Sequence, residues 1–165
     1  MKRLNIVLFI TAFSLASCLE TEEFDGLTDL RPDVSIEFPG RVYDQNAGLA
    51  VRITGFSTAP NIVIPMEVKG GSESISKVLS VEARGARLPA PGACGAYAVV
   101  QATEMDIDDT RNFSYSIPLS AITASGATCA ATIVGAGMYY EFIFTLEMSD
   151  GSTIVTMPVR AQIVE

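Results

Sequence analysis

The chain has 165 residues, 48% hydrophobic and 18% charged, the proportions of one folded domain and not of a disordered or membrane-embedded chain. Its 19 Asp+Glu against 11 Lys+Arg give a formal charge of -8, so a nucleic-acid backbone, which demands a basic surface, is not an expected partner. There is no His and no Trp, which removes the commonest general base and transition-metal ligand together with the largest sugar-stacking ring.

Lys2 and Arg3 open the chain, and Leu4 to Leu15 form a mostly apolar run of 12 residues, interrupted by Asn5, Thr11 and Ser14. A membrane-crossing helix needs about 20 apolar residues, so this run is too short to span and reads as the core of an export signal. It ends in Leu15-Ala16-Ser17-Cys18, which resembles a bacterial lipoprotein signal: a branched apolar residue, two small residues that fit a narrow protease subsite, then the cysteine. The resemblance implies removal of residues 1–17 and acylation of Cys18. Each buried methylene of an acyl chain adds about 0.8 kcal/mol of membrane affinity, so several chains hold a soluble domain at the bilayer.

Residues 18–33 read as a tether. Leu19-Glu20-Thr21-Glu22-Glu23-Phe24-Asp25 is acidic, and like charges keep such a segment extended. It also resembles the acidic stretch behind the lipidated cysteine in surface lipoproteins of Bacteroidetes-type bacteria. Leu19, rather than Asp, follows Cys18, so the inner-membrane retention signal of enteric bacteria is missing. The expected location is the outer membrane, on the cell surface in preference to the periplasmic face.

From Val34 the apolar period is two, the signature of strands with one buried face. Val34 and Ile36 to Phe38 run into Pro39-Gly40. Leu49, Val51 and Ile53 alternate with Ala50, Arg52 and Thr54. Ile62, Ile64, Met66 and Val68 follow, and Pro65 among them, having no N–H, predicts an edge or a bulge. Ile75, Leu79, Val81 and Ala83 continue the pattern, with Lys77 a misfit on that face. Tyr97 to Met105 and the trio Phe113, Tyr115 and Ile117 predict two more strands, and Pro118 to Ala124 a short helix. The last hairpin is the clearest: Tyr140, Phe142, Phe144, Leu146 and Met148 share one face, with Ile143 an apolar exception on the other. Asp150-Gly151 predicts a type I′ turn. The return strand places Val155, Met157, Val159, Ala161 and Ile163 together. Seven to eight strands in residues 34–165 and no long helical period predict a single all-β domain, an antiparallel immunoglobulin-like or fibronectin III-like β-sandwich, with a meander barrel as the alternative for segments this short.

With Cys18 committed to lipid, Cys94 and Cys129 remain, an even pair in an oxidising compartment. Both fall in small-residue loops and are expected to bridge, the alternative being two buried thiols; a bridge would constrain the unfolded chain by roughly 4 kcal/mol. A catalytic thiol needs a base, and no His supplies one. Asp106, Asp108 and Asp109, with Glu104 before them, are hard oxygen ligands in the type Ca²⁺ takes, but lack the glycine and distal glutamate of an EF-hand; a solvated turn is the simpler reading, and no metal or cofactor is expected. Tyr43, Tyr97 and Tyr139 are candidates for stacking on sugar rings, whereas Tyr115 and Tyr140 read as core. Gly135-Ala136-Gly137 precedes a strand and so forms no phosphate cradle.

Phe113-Ser114-Tyr115-Ser116-Ile117-Pro118-Leu119-Ser120, then Tyr140-Glu141-Phe142-Ile143-Phe144-Thr145 followed by Asp150-Gly151, resemble the C-terminal half of small single-domain Bacteroidetes lipoproteins that accompany starch-utilisation-type uptake systems. The resemblance covers the signal and the last third of the chain and carries over no site residue. It implies a non-enzymatic accessory lipoprotein that binds an outer-membrane uptake receptor or a glycan. Two other readings are a lipidated structural or adhesive subunit of a fimbria-like assembly, and a hydrolase using acids near Asp106.

Overall fold

A computed structural model describes residues 33–44, 48–54, 61–87, 93–126 and 138–164. The chain divides into two units, Met1–Asp33 and Val34–Glu165, and every described element belongs to the second. In order these are β1 (Val34–Glu37), β2 (Arg41–Asp44), β3 (Gly48–Ile53), β4 (Asn61–Gly70), β5 (Ile75–Arg87), β6 (Ala93–Gln101), β7 (Met105–Thr110), β8 (Asn112–Pro118), helix α1 (Leu119–Ala124), β9 (Met138–Met148), β10 (Thr153–Val155) and β11 (Val159–Ile163). The fold is all-β and sandwich-like, with two mostly antiparallel sheets. The smaller runs β1-β4-β8; the larger runs β2-β3-β11-β9-β5-β6, with β10 added to β9 and β7 to β5.

The number of strands and their directions both depart from expectation. Eleven segments are described, not seven to eight, because β7 and β10 share the partners of longer strands and the predicted Tyr97 to Met105 strand divides between β6 and β7. One ladder is parallel, β3 with β11 (Ala50 opposite Arg160 through Ile53 opposite Ile163). Such a pair joins segments far apart in sequence, so no local turn signal announces it.

The core lies between the sheets. Tyr140, Phe142, Phe144, Leu146 and Met148 of β9 are all buried, and Ile62, Ile64, Met66 and Val68 of β4 face them from the smaller sheet. Each such side chain contributes about 1.5–3 kcal/mol by leaving water. Phe144 is the hub: its ring meets Tyr115 of β8 edge-on at 5.2 Å, Phe38 at 6.1 Å and Phe142 at 6.3 Å. α1 turns Leu119 and Ile122 into the same core. Among the described residues no helix is long and apolar enough to cross a membrane.

Irregularities decide which face each residue meets. Pro65 lies on the stretch of β4 paired with β8 but beyond the last β1 partner, Glu67, so its missing N–H leaves no ladder bond broken on the open side. β5 carries two bulges against β9, between Ile75 and Lys77 and between Val78 and Ser80. Each inserts one residue, so the buried positions step by three (Ile75, Val78, Val81) before the period of two resumes at Ala83. Lys77 is therefore no misfit; it faces outward, and Val78 rather than Leu79 fills the core.

The final hairpin is corrected twice. Met148 N–H donates to the Ser152 carbonyl (2.8 Å) and Gly151 N–H to the Met148 carbonyl (2.9 Å), and in this turn Gly151 alone takes positive φ, 81°. That is a three-residue loop closed by a glycine bulge, not a type I′ turn, which needs positive φ at two residues. Asp150 holds it by accepting from the N–H and hydroxyl of Ser152. Further on, Thr156 exchanges hydrogen bonds with the backbone of Phe144, and Val159 lies opposite Phe142, so the return strand holds one residue more than β9 across Met157-Pro158. The face flips there: Thr156 and Val159 are buried, whereas Val155 and Met157 face solvent, Met157 at 81% exposure.

Arg111 closes the opposite end of β4. Its Nη1 donates to the carbonyls of Gly71 and Glu73 and its Nη2 to those of Val68 and Gly70, so one guanidinium satisfies four acceptors of the β4–β5 turn.

Candidate functional site

Arg84 of β5 and Arg160 of β11 both lie directly opposite Glu141 of β9. Directly opposed residues of antiparallel strands present side chains on one face about 5 Å apart, so register alone brings two guanidiniums to one carboxylate. The row stands on the outer face of the larger sheet, yet the Glu141 side chain is only 7% exposed. Arg84 Nε and Nη2 both reach Glu141 Oε2 at 2.6 Å, Tyr97 of β6 donates its hydroxyl to the same oxygen at 3.2 Å, and Arg160 Nε donates to Oε1 at 2.8 Å.

Aromatic rings back both arginines. The Arg84 guanidinium lies 4.5 Å from the Tyr97 ring centre, and that of Arg160 lies 5.5 Å from Tyr139. Gly48, at φ 70°, makes room on the β3 side: a Cβ there would stand 3.0 Å from Arg160 Nη1. Burial opposes ionisation of Glu141, but the hydrogen bonds and charges of Arg160 and Arg84 outweigh it and hold the carboxyl below its ordinary value. Burial likewise works against the charge of Arg84, and Glu141 more than restores it. The Tyr97 phenol is pushed up by burial and by the adjacent carboxylate.

Beside this row lies a concavity of about 380 Å³ lined by Arg41, Leu49, Arg84, Glu141, Pro158 and Arg160. Among its described lining residues are three arginines and one glutamate, in a chain whose net charge is -8. Arg41 donates its Nε to the Phe38 carbonyl at 3.1 Å and lies 6.0 Å from the centre of the Phe38 ring. A carboxylate so fully hydrogen-bonded is a poor base. It is a good anchor for guanidiniums that face a ligand.

The sequence-predicted residues are dispersed. Tyr97 and Tyr139 belong to the Glu141 row, each with an arginine over its ring, and Tyr139 is buried; Tyr43 is 70% exposed. Asp106, Asp108 and Asp109 lie on β7, not in a turn, and among the described residues no group of three or more acidic, His or Cys side chains could hold a metal. Asp106, 89% exposed, is instead 4.0 Å from Lys77, which also lies 3.9 Å from Glu104 and 3.7 Å from Glu147. The backbone of Cys94 runs in β6 opposite Gly85, not in a loop. Leu15, Ala16, Ser17, Cys18 and Cys129 lie outside the described residues. Arg41, Arg84, Glu141 and Arg160 were not singled out from sequence. The signal that marks them is Tyr139 and Ile143 flanking Glu141 on the supposedly wet face of β9, two apolar neighbours for one charge.

No protein-family model and no curated protein matches this chain. Among solved structures it is similar to the sporulation control protein Spo0M of Bacillus subtilis, at 10% identity and a TM-score of 0.36. The likeness covers 82% of this chain and 51% of that one, so the chain spans about half the length of that protein.

Proposed function

We propose that this chain is a non-enzymatic accessory lipoprotein, moored in the outer membrane through acyl groups on Cys18, whose sandwich is of the immunoglobulin or fibronectin III kind and binds a ligand or receptor of a nutrient-uptake system. One observation carries the reading: an arginine-lined concavity where Glu141, the carboxylate among its described lining residues, is committed to holding its neighbours. A site of that build recognises without supplying a proton acceptor. The lipobox Leu15-Ala16-Ser17-Cys18 and the acidic tether behind it supply the membrane half of the proposal.

Calorimetric titration against a panel of glycans and peptides, with affinity capture from solubilised outer membrane, tests the binding half; the expected result is a saturable partner, and silence across both would overturn it. Radiolabelled palmitate tests the mooring. Incorporation into wild type and none into Cys18→Ala is expected, and equal labelling of the two contradicts it.

A further inference from the structure

The larger sheet ends in β2, which pairs with β3 along one edge; among the described residues nothing pairs with its other edge. We propose that a second copy of this chain completes that edge, β2 against β2 about a two-fold axis, so that two larger sheets join into one. Exposed apolar side chains gather there. Of the seven large apolar residues open to solvent among the described residues, Val42, Tyr43 and Leu49 belong to this one hairpin, at 43, 70 and 52% exposure. Register sets Val42, opposite Ala50, on the outer face and Tyr43, opposite Leu49, on the core-side face. The three-stranded smaller sheet leaves that end of the core-side face uncovered: Leu49 is open, whereas Val51 and Ile53, further along the same face of β3, are buried. An edge built to repel added strands carries a lysine or a proline at its middle, and β2 carries valine and tyrosine.

The sequence of β2 selects both occupant and register. A two-fold axis normal to the sheet keeps each face on its own side, so a residue can oppose only residues of its own parity. Centred on Arg41, the pairing sets guanidinium against guanidinium. Centred on Tyr43, it sets apolar Val42 opposite charged Asp44. Centred on Val42, it satisfies both faces. On the outer face the row becomes Ala50, Val42, Val42, Ala50, apolar throughout. On the core-side face Arg41 of each copy stands opposite Tyr43 of the other, a cation beside a ring, made twice. Arg41 is already held toward that face by its Nε bond to the Phe38 carbonyl and by the Phe38 ring, 6.0 Å away. A foreign strand would have to offer the same interleaving of cation, valine and ring, which β2 itself supplies.

Sedimentation of the whole chain in detergent, with micelles in large excess over protein, reads the mass, and a cysteine at the axis reads the register. Wild type is expected to move from monomer to twice that mass as concentration rises. Val42→Asp sets two carboxylates face to face and should weaken association about tenfold or more. Under mild oxidation Val42→Cys should form a covalent dimer, because directly opposed Cα atoms of antiparallel strands lie about 4.5–5.5 Å apart, within disulfide reach. Val63→Cys, equally exposed at 43% but on the smaller sheet, should cross-link no faster than wild type. If Val42→Asp loses its strand signal in circular dichroism, the comparison of the two cysteine variants decides alone. Wild type that stays monomeric at every concentration overturns the proposal and leaves the edge to a foreign strand. A dimer that persists in folded Val42→Asp, or cross-linking no faster in Val42→Cys than in Val63→Cys, overturns it as well.

Discussion

On their outward face, β5 and β9 carry two ion clusters of opposite design. Near one end Lys77 stands among three acids at 3.7–4.0 Å, of which Glu104 and Asp106 are exposed and Glu147 is half-buried. Near the other a single anion, Glu141, is held by two arginines at 2.6–2.8 Å and is almost wholly shielded from water. The pairing rule is the same in both, residues placed opposite one another across a ladder, yet the consequences differ because distance and solvent differ. An ammonium among exposed carboxylates at such separations interacts through water and salt at a small fraction of its vacuum energy. A shielded carboxylate bound by forked donors fixes where those donors point. The first cluster makes a soluble surface, and the second makes a shaped site.

The largest effect should come from emptying the second cluster. Glu141→Ala leaves two guanidiniums without their anion and is expected to cost about 3 kcal/mol in urea denaturation, the low end for a broken shielded pair because both arginines keep partial contact with water. Acid offers a milder break. Because the folded-state pKa of Glu141 is lowered from 4.5, its stabilisation is fully present above that value and fades as pH falls through the lower, folded one. Urea midpoints taken at descending pH should therefore fall more steeply for wild type than for Glu141→Gln. Gly48→Ala should follow at about 1 kcal/mol, from the positive φ and from the displaced Arg160. Smallest is Lys77→Gln, with a change under about 0.5 kcal/mol that vanishes near 1 M salt, where the screening length is about 3 Å. A Lys77 effect as large as that of Glu141 would erase the contrast.

What could be read from the sequence follows the range of the interactions involved. The β9 alternation and the buried β4 face were legible because side-chain period and burial are local, and α1 was legible because Pro118 marks its start. The bulges in β5 announced themselves only as Lys77 on the wrong face, and the flip at Met157-Pro158 left an apolar Met157 where a core residue was expected. Such insertions preserve composition while changing parity, so a period count passes through them and misassigns what lies beyond. The parallel β3–β11 ladder and the Glu141 row were illegible for a further reason. Arg84, Glu141 and Arg160 are each ordinary solvent-facing residues in their own strands, and become a site only through the order of β5, β9 and β11 in the sheet.

A double-mutant cycle on Arg84 and Glu141, with Arg84→Gln, Glu141→Gln and the pair followed by urea denaturation, tests the central claim most directly. The account predicts a coupling of about 1 kcal/mol or more, against under about 0.5 kcal/mol for Lys77 and Glu147 treated alike. Equal coupling in the two pairs would contradict it.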